Sequence, residues 1–243
     1  MRKGSKRGMT IAKDFSNDGA AMAAREADGD SETEVAPKKV SRNPKRTHAQ
    51  ILEAATAEFM AHGFGGARID AIAARAMTNK RMLYHYFGDK EALYLAVLEA
   101  TYASIRTAEK SLDLTHREPE EGIRELALFT WHYFLKHPEF LSLLGTENLL
   151  QAQYLKRSQR IAEMHSHFIG ELSDVLKRGE AAGLFRPGID PVSVYLTIAA
   201  LGFFYLSNRH TLSTIFGREL TAPAAIKAWG EHIVAVTLLS IKR

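Results

Sequence analysis

Residues 69–93 read Ile69-Asp70-Ala71-Ile72-Ala73-Ala74-Arg75-Ala76-Met77-Thr78-Asn79-Lys80-Arg81-Met82-Leu83-Tyr84-His85-Tyr86-Phe87-Gly88-Asp89-Lys90-Glu91-Ala92-Leu93, and the spacing within them decides the fold class. Ile69, Ile72, Ala73 and Ala76 recur at i, i+3, i+4 and i+7, one face of a short helix. Thr78 is a good N-cap for a further helix over 79–87, and Gly88-Asp89 breaks the chain before a long helix opening at Lys90. Upstream, Ile51, Ala55 and Phe59 repeat at i, i+4 and i+8, with Leu52 widening the stripe. That helix begins near Lys45 and is expected to stop at His62-Gly63, where glycine permits a left-handed cap. Three short helices with tiny connectors, the last two about three residues apart, make a helix-turn-helix.

Beyond residue 90 no strand-like alternation occurs. Helical patterns run over roughly 90–112, 119–136, 138–151, 156–182, 191–212 and 223–242, punctuated by Pro119, Pro138, Gly183, Pro187, Pro191 and Pro223. Proline in a first turn and glycine just past an end suit helix boundaries. The expected fold is all-α, about nine helices without an internal repeat. Residues 1–43 lack apolar periodicity and carry an acidic cluster, Glu26, Asp28, Asp30, Glu32 and Glu34, followed by Pro37, Lys38, Lys39 and Arg42. They read as a mostly disordered tail, too polar to offset its ordering entropy. The expected division is therefore a tail over 1–43, a helix-turn-helix domain over 44–92 and a larger helical domain over 93–243.

With 243 residues, 46% of them hydrophobic and 25% charged, the chain has the composition of a globular protein with a substantial core. The absence of cysteine excludes disulfides, thiolate metal sites and a cysteine nucleophile. The most apolar window, 192–206, is shorter than the ~20 residues needed to span a bilayer, so no transmembrane helix is expected. Arg2, Lys3, Lys6 and Arg7 precede no apolar run of the kind that marks a secretory signal, and a cytoplasmic location is expected. The net charge of +4 is unevenly spread: residues 38–90 hold 10 basic and 4 acidic side chains, whereas residues 91–243 hold 16 and 17. Such concentration suits a nucleic-acid-binding module joined to a neutral partner domain. Charge alone does not separate that reading from an ordinary solvated surface.

The local pattern does separate them. A helix docked in the major groove needs a short, rigid, cationic N-terminal half, and Thr78-Asn79-Lys80-Arg81 supplies a cap, an amide and two cations. Arg81 is suited to a bidentate pair with guanine and Asn79 to adenine, while Lys80 suits either base or phosphate. From Ile51-Leu52-Glu53-Ala54-Ala55, Phe59, Gly63-Phe64, Ile72-Ala73 and the run Leu83-Tyr84-His85-Tyr86-Phe87-Gly88-Asp89-Lys90-Glu91-Ala92-Leu93, the segment resembles the TetR family of bacterial transcription regulators. The resemblance implies an N-terminal DNA-binding domain, a C-terminal helical domain that binds a small molecule and dimerises, and repression relieved by that molecule. It also implies that Tyr84, Tyr86 and Lys90 touch backbone phosphate, to which Arg46, Arg68 and Thr78 are added here. Phosphate contacts set register, not sequence preference. Two positions depart from the family pattern. Ala67 stands where relatives have threonine, so either Gly66 caps the second helix or its first amides are left to water or phosphate. Met77 stands where the turn has glycine, at little cost provided it avoids left-handed space.

In the C-terminal part, residues 191–216 are apolar nearly all round, and Ile226, Trp229, Ile233 and Val236 form one stripe of the last helix with Val234, Leu238 and Ile241 on another. Helices needing cover on two faces have to be sandwiched. A homodimer is expected, with Leu201, Tyr205, Trp229, Ile233 and Val236 at its interface. Polar and aromatic candidates for an effector pocket are Tyr102, Trp131, His132, Glu147, Asn148, His165, Phe168 and Asn208, each of which also reads as a satisfied core or surface residue. His137-Pro138-Glu139-Phe140 and the stretch Gly183-Leu184-Phe185-Arg186-Pro187 to Asp190-Pro191 are similar to a TetR subgroup that includes pyrimidine-sensing regulators.

No cofactor, metal site or catalysis is expected: His165 and His167 lie ~200° apart on a helix, and no phosphate-cradling glycine loop or nucleophile elbow occurs. The expected partners are double-stranded DNA, an unidentified small-molecule effector and a second copy of the chain, with no membrane. The competing readings are a helical small-molecule sensor or interaction protein with weak or no specific DNA binding, and a general DNA-compacting protein. The second of these needs basic charge over the whole surface, which residues 91–243 lack.

Overall fold

Proline lacks an N–H to donate and fixes φ near the helical value, so it starts helices cheaply. Pro119, Pro138, Pro191 and Pro223 each open one in the computed structural model, which describes residues 44–243. Among these residues lie ten α-helices: α1 (Pro44–Gly66), α2 (Ile69–Arg75), α3 (Lys80–Phe87), α4 (Lys90–Glu109), α5 (Pro119–Lys136), α6 (Pro138–Leu149), α7 (Gln159–Ala181), α8 (Pro191–Ser207), α9 (Arg209–Phe216) and α10 (Pro223–Ile241). No strand occurs among the described residues, only an isolated antiparallel bridge between Phe185 and Lys242. The expected tail over 1–43 lies outside the described residues.

The all-α expectation holds, with one helix more than the nine expected. The pattern over 191–212, read as one helix, is two: the chain bends by 70° between α8 and α9. At the bend Asn208 leaves helical geometry (φ −107°, ψ 7°), while its amide and the Arg209 guanidinium donate to the carbonyls of Phe204 and Leu206. Apolar periodicity continues through the break, which is why the sequence conceals it.

α5 is the axis of the larger unit, with α7, α8 and α10 packed around it. Its Trp131 is 1% exposed, and a Cβ added at Gly230 of α10 would stand 2.8 Å from that indole. Gly230 is thus needed for the close approach of α10 to α5. By length and composition α10 is apolar enough to cross a membrane, and one face of it, with Ile233, Val234, Thr237, Leu238 and Ile241, is buried within the chain. In the smaller unit Ile51, Ala55 and Phe59 of α1, Ile72 of α2, Leu83 of α3 and Leu93 of α4 close one apolar centre.

Four local details differ from expectation. α1 breaks at Gly63 (φ 62°, ψ −177°) but continues to Gly66. Arg68, not Gly66, is the N-cap of α2 and gives it no side-chain cap bond, while the buried Glu58 carboxylate accepts from the Arg68 N–H at 3.1 Å. Asn79, not Thr78, is the N-cap of α3, its Oδ1 accepting from the Met82 N–H at 3.0 Å. Met77 does enter left-handed space (φ 50°), the backbone for which glycine is suited.

Candidate nucleic-acid interface and sensory core

Helix α3 has two unlike faces. Leu83 is buried and Phe87 half-buried, whereas Lys80, Arg81, Tyr84 and His85 stand in solvent. Arg81 carries no ion pair among the described residues, so all its donors are available. Lys80 does: its Nζ lies 2.7 Å from Asp70 Oδ1 on α2, and this carboxylate holds the ammonium above the ordinary lysine range. The pair braces α2 against α3, and reading a base would require Lys80 to leave it. Asn79 is exposed, but its carbonyl oxygen is engaged as the cap, leaving the amide N–H groups outward. Met77, 79% exposed, sits beside this edge.

The expected phosphate contacts are less uniform. Arg46, Arg68 and Tyr84 are exposed, while Thr78 is half-buried. Tyr86 turns toward α1, edge-on to His48 at 5.9 Å between ring centroids, and so offers only part of its surface. Lys90 opens α4, where Asp89 caps the helix through Ala92 N–H at 2.7 Å, and its Nζ lies 4.9 Å from the Phe64 ring centre.

Of the eight residues expected around an effector, the structure gathers three. Tyr102 and His165 meet at 5.3 Å between ring centroids, and Phe168 lies beside them on α7, 5.6 Å from Tyr195 of α8. Trp131 is a core group whose indole N–H donates to the Ile226 carbonyl at 3.1 Å. His132 and Asn148 are exposed, and Asn208 forms the α8–α9 bend. Glu147 is buried near the junction with α1, accepting from the Leu155 N–H at 2.9 Å and raising the Tyr94 phenol together with its burial.

The sequence reading missed the centre of the gathered cluster. Arg106, 6% exposed, lies with its Cζ 4.2 Å from the Phe168 ring centre and 5.8 Å from that of Tyr195. Its Nε is 3.1 Å from Glu109 Oε2, within ion-pair range but without the alignment of a hydrogen bond. Tyr195 leans toward the guanidinium, which lowers its phenol against the raising effect of burial, yet none of the three guanidinium nitrogens has a hydrogen bond of good geometry. Burial pushes the Glu109 carboxyl up to about 7, with Arg106 pulling the other way. Burial and the same cation lower His165, and burial raises Tyr102 to about 12. The signal was present: Leu98, Tyr102, Ile105 and Glu109 follow i, i+4, i+7 and i+11, so Glu109 is a charge on an apolar stripe.

The expected dimer stripe is also redistributed. Ile233 is 0% exposed and Tyr205 5%, its hydroxyl donating to the Leu220 carbonyl at 2.8 Å, so both are spent inside the chain's own core. Trp229, Leu201 and Val236 are half-buried. The outward apolar residues are instead Leu196, Ala200 and Phe204 on α8 and Ala228, Ala235 and Leu239 on α10.

Residues 51–97 match the family model for bacterial regulatory proteins of the tetR family, and residues 119–236 the tetracyclin repressor-like C-terminal domain. The HTH-type transcriptional repressor NicS of Pseudomonas putida is 42% identical over 198 residues, 82% of this chain and 93% of that protein. The chain belongs to the TetR family. A second relative, the HTH-type transcriptional repressor SCO4008 of Streptomyces coelicolor, is 35% identical over 65% of this chain and 78% of its own length. The crystal structure of the transcriptional regulator SCO4942 from Streptomyces coelicolor superposes with a TM-score of 0.61 at 25% identity, covering 80% of this chain and 98% of that one. The TetR-family chain is thus a helix-turn-helix transcription regulator, and α2 and α3 lie within the stretch that matches the tetR-family model.

Proposed function

We propose that this protein is a cytoplasmic, homodimeric repressor that reads a palindromic operator with α3 in the major groove and releases it when a small molecule occupies the core of residues 93–243. The observation that carries the reading is the α3 edge: a side-chain-capped helix N-terminus presenting an unpaired Arg81 beside Asn79 and Tyr84. Arg81 reads a guanine, and Asn79 and Lys80 read neighbouring bases once Lys80 is released from Asp70. Arg46, Arg68, Thr78, Tyr84, Tyr86 and Lys90 take phosphates, Tyr86 by its exposed edge only. The partner copy docks on the outward apolar faces of α8 and α10, which places two α3 helices on half-sites about one DNA turn, ~34 Å, apart.

The test is a mobility shift of the full chain against DNA flanking its own gene, with footprinting of any shifted complex and light scattering of the free protein. A retarded band, a footprint with twofold symmetry and a particle of two chains are expected. Monomers, or no retarded band at low salt, would replace this reading with that of a helical sensor or interaction protein.

A further inference from the structure

Every other buried charge among the described residues has a partner on the page: Glu58 holds the Arg68 N–H, and Glu147 holds the Leu155 N–H. The Arg106–Glu109 pair does not. Three guanidinium nitrogens and both Glu109 oxygens are buried without a properly formed hydrogen bond, an arrangement that ordinarily demands compensation. Both residues face a cavity of about 300 Å³ between α4 and α7, floored also by Met164 and Phe168. That volume is at the lower end of small-ligand pockets.

From this geometry we infer that the cavity is a site for a small carboxylic acid with an apolar body, whose carboxylate takes the place of Glu109 on the Arg106 guanidinium. A guanidinium offers two parallel N–H groups to a carboxylate, which the Glu109 side chain, three residues away on the same helix, meets with only one nitrogen and poorly. Glu109 is an occupant of the right charge at the wrong angle. Phe168 and Met164 supply the apolar wall, and Phe168 and Tyr195 hold the guanidinium plane in place. The cavity mouth carries both signs, Lys110 and His167 against Glu163 and Glu171, so discrimination falls to the floor. Arg106 lies near the C-terminal end of α4, whose other end begins at Lys90 beside the DNA-binding motif. Exchanging the counter-ion of Arg106 therefore acts on the helix joining the two units.

This inference deepens the repressor reading and rests on it only for the consequence at DNA. The full chain is titrated calorimetrically at pH 7.5 with benzoate and hexanoate, and with benzamide and hexanamide as neutral twins. At least one acid is expected to bind tenfold or more tightly than its amide. Glu109→Gln, which removes the internal competitor, is expected to tighten that acid severalfold. The double variant Arg106→Gln/Glu109→Gln removes both charges together, so no buried charge is left alone, and is expected to lose the acid at least tenfold. Circular dichroism checks that it is folded. Acids no tighter than their amides, Glu109→Gln binding the acid no better than the parent, or a folded double variant binding it unchanged would each overturn the assignment. Mobility shifts on the same samples separate the two readings. Intact operator binding with no acid preference sinks only this inference, whereas acid binding without any DNA complex sinks only the repressor.

Discussion

Arg81 and Arg106 are the same side chain in opposite surroundings, 25 residues apart. Arg81 is solvated at the edge of α3 with nothing to hold it, and its donors await a partner from outside. Arg106 lies under aromatic rings with a misaligned carboxylate as its only counter-ion among the described residues. Water compensates the first at no structural expense. The second is sustained by the surrounding core, and removing Arg106, which leaves Glu109 without a counter-charge, should be felt by the whole fold. Exposure thus leaves Arg81 free for the recognition proposed for it, whereas burial makes Arg106 matter for stability as well as for any ligand.

The contrast is broken most sharply by deletion. Arg106→Met leaves Glu109 buried without a counter-charge and is expected to lose about 3–5 kcal/mol in urea denaturation at pH 8, whereas Arg81→Ala should stay within about 0.5 kcal/mol of the parent. Equal effects would mean that the two arginines share an environment after all.

Acidity probes the same pair with a smaller effect. An unfolded Glu109 titrates near 4.5 and the folded one near 7, so between these values the native state holds the extra proton. Stability is then fully present below about pH 4.5 and declines as pH rises through about 7, by up to ~3 kcal/mol at ~1.4 kcal/mol per unit. Besides Arg106, the groups facing Glu109 are Glu171 and Tyr133, while Tyr195 and His165 share the cluster. Denaturant midpoints of Glu109→Gln from pH 5 to 8 should lack this decline. Parallel curves for variant and parent would show an ordinary carboxyl.

On the DNA side, Arg81→Ala should weaken operator binding by about 1–3 kcal/mol and random-sequence binding much less. Titration against both DNAs tests it, and equal losses would move Arg81 to the phosphates. The smallest effect is expected in the turn. Met77→Gly removes a left-handed strain of about 1 kcal/mol, part of it returned as glycine's greater unfolded entropy. A slightly higher melting temperature is expected, and a lower one would show that Met77 packs usefully despite its exposure.

Much of this molecule was legible in order of residues. Apolar spacing, prolines and glycines located the helices because those signals act within one turn of backbone, and the exposure of Asn79, Lys80, Arg81 and Tyr84 was legible because a helix edge needs nothing distant to define it. Where tertiary contacts intervene, local reading went astray. The Tyr205 and Ile233 stripe was assigned outward when the chain covers it itself, since periodicity identifies an apolar face without saying what lies against it. Trp131, Glu147 and Asn208 were grouped with Tyr102, His165 and Phe168, though chain folding carries them to separate places.

Sequence by itself thus determined the helical class, the cationic reading helix and the family. Only the tertiary structure decided that Arg106 and Glu109 share a buried, poorly bonded site, and which faces of α8 and α10 remain open. The physical reason is range: helix formation and capping are settled by neighbours a few residues apart, while desolvation and ion-pair geometry depend on residues brought together from α4, α7 and α8.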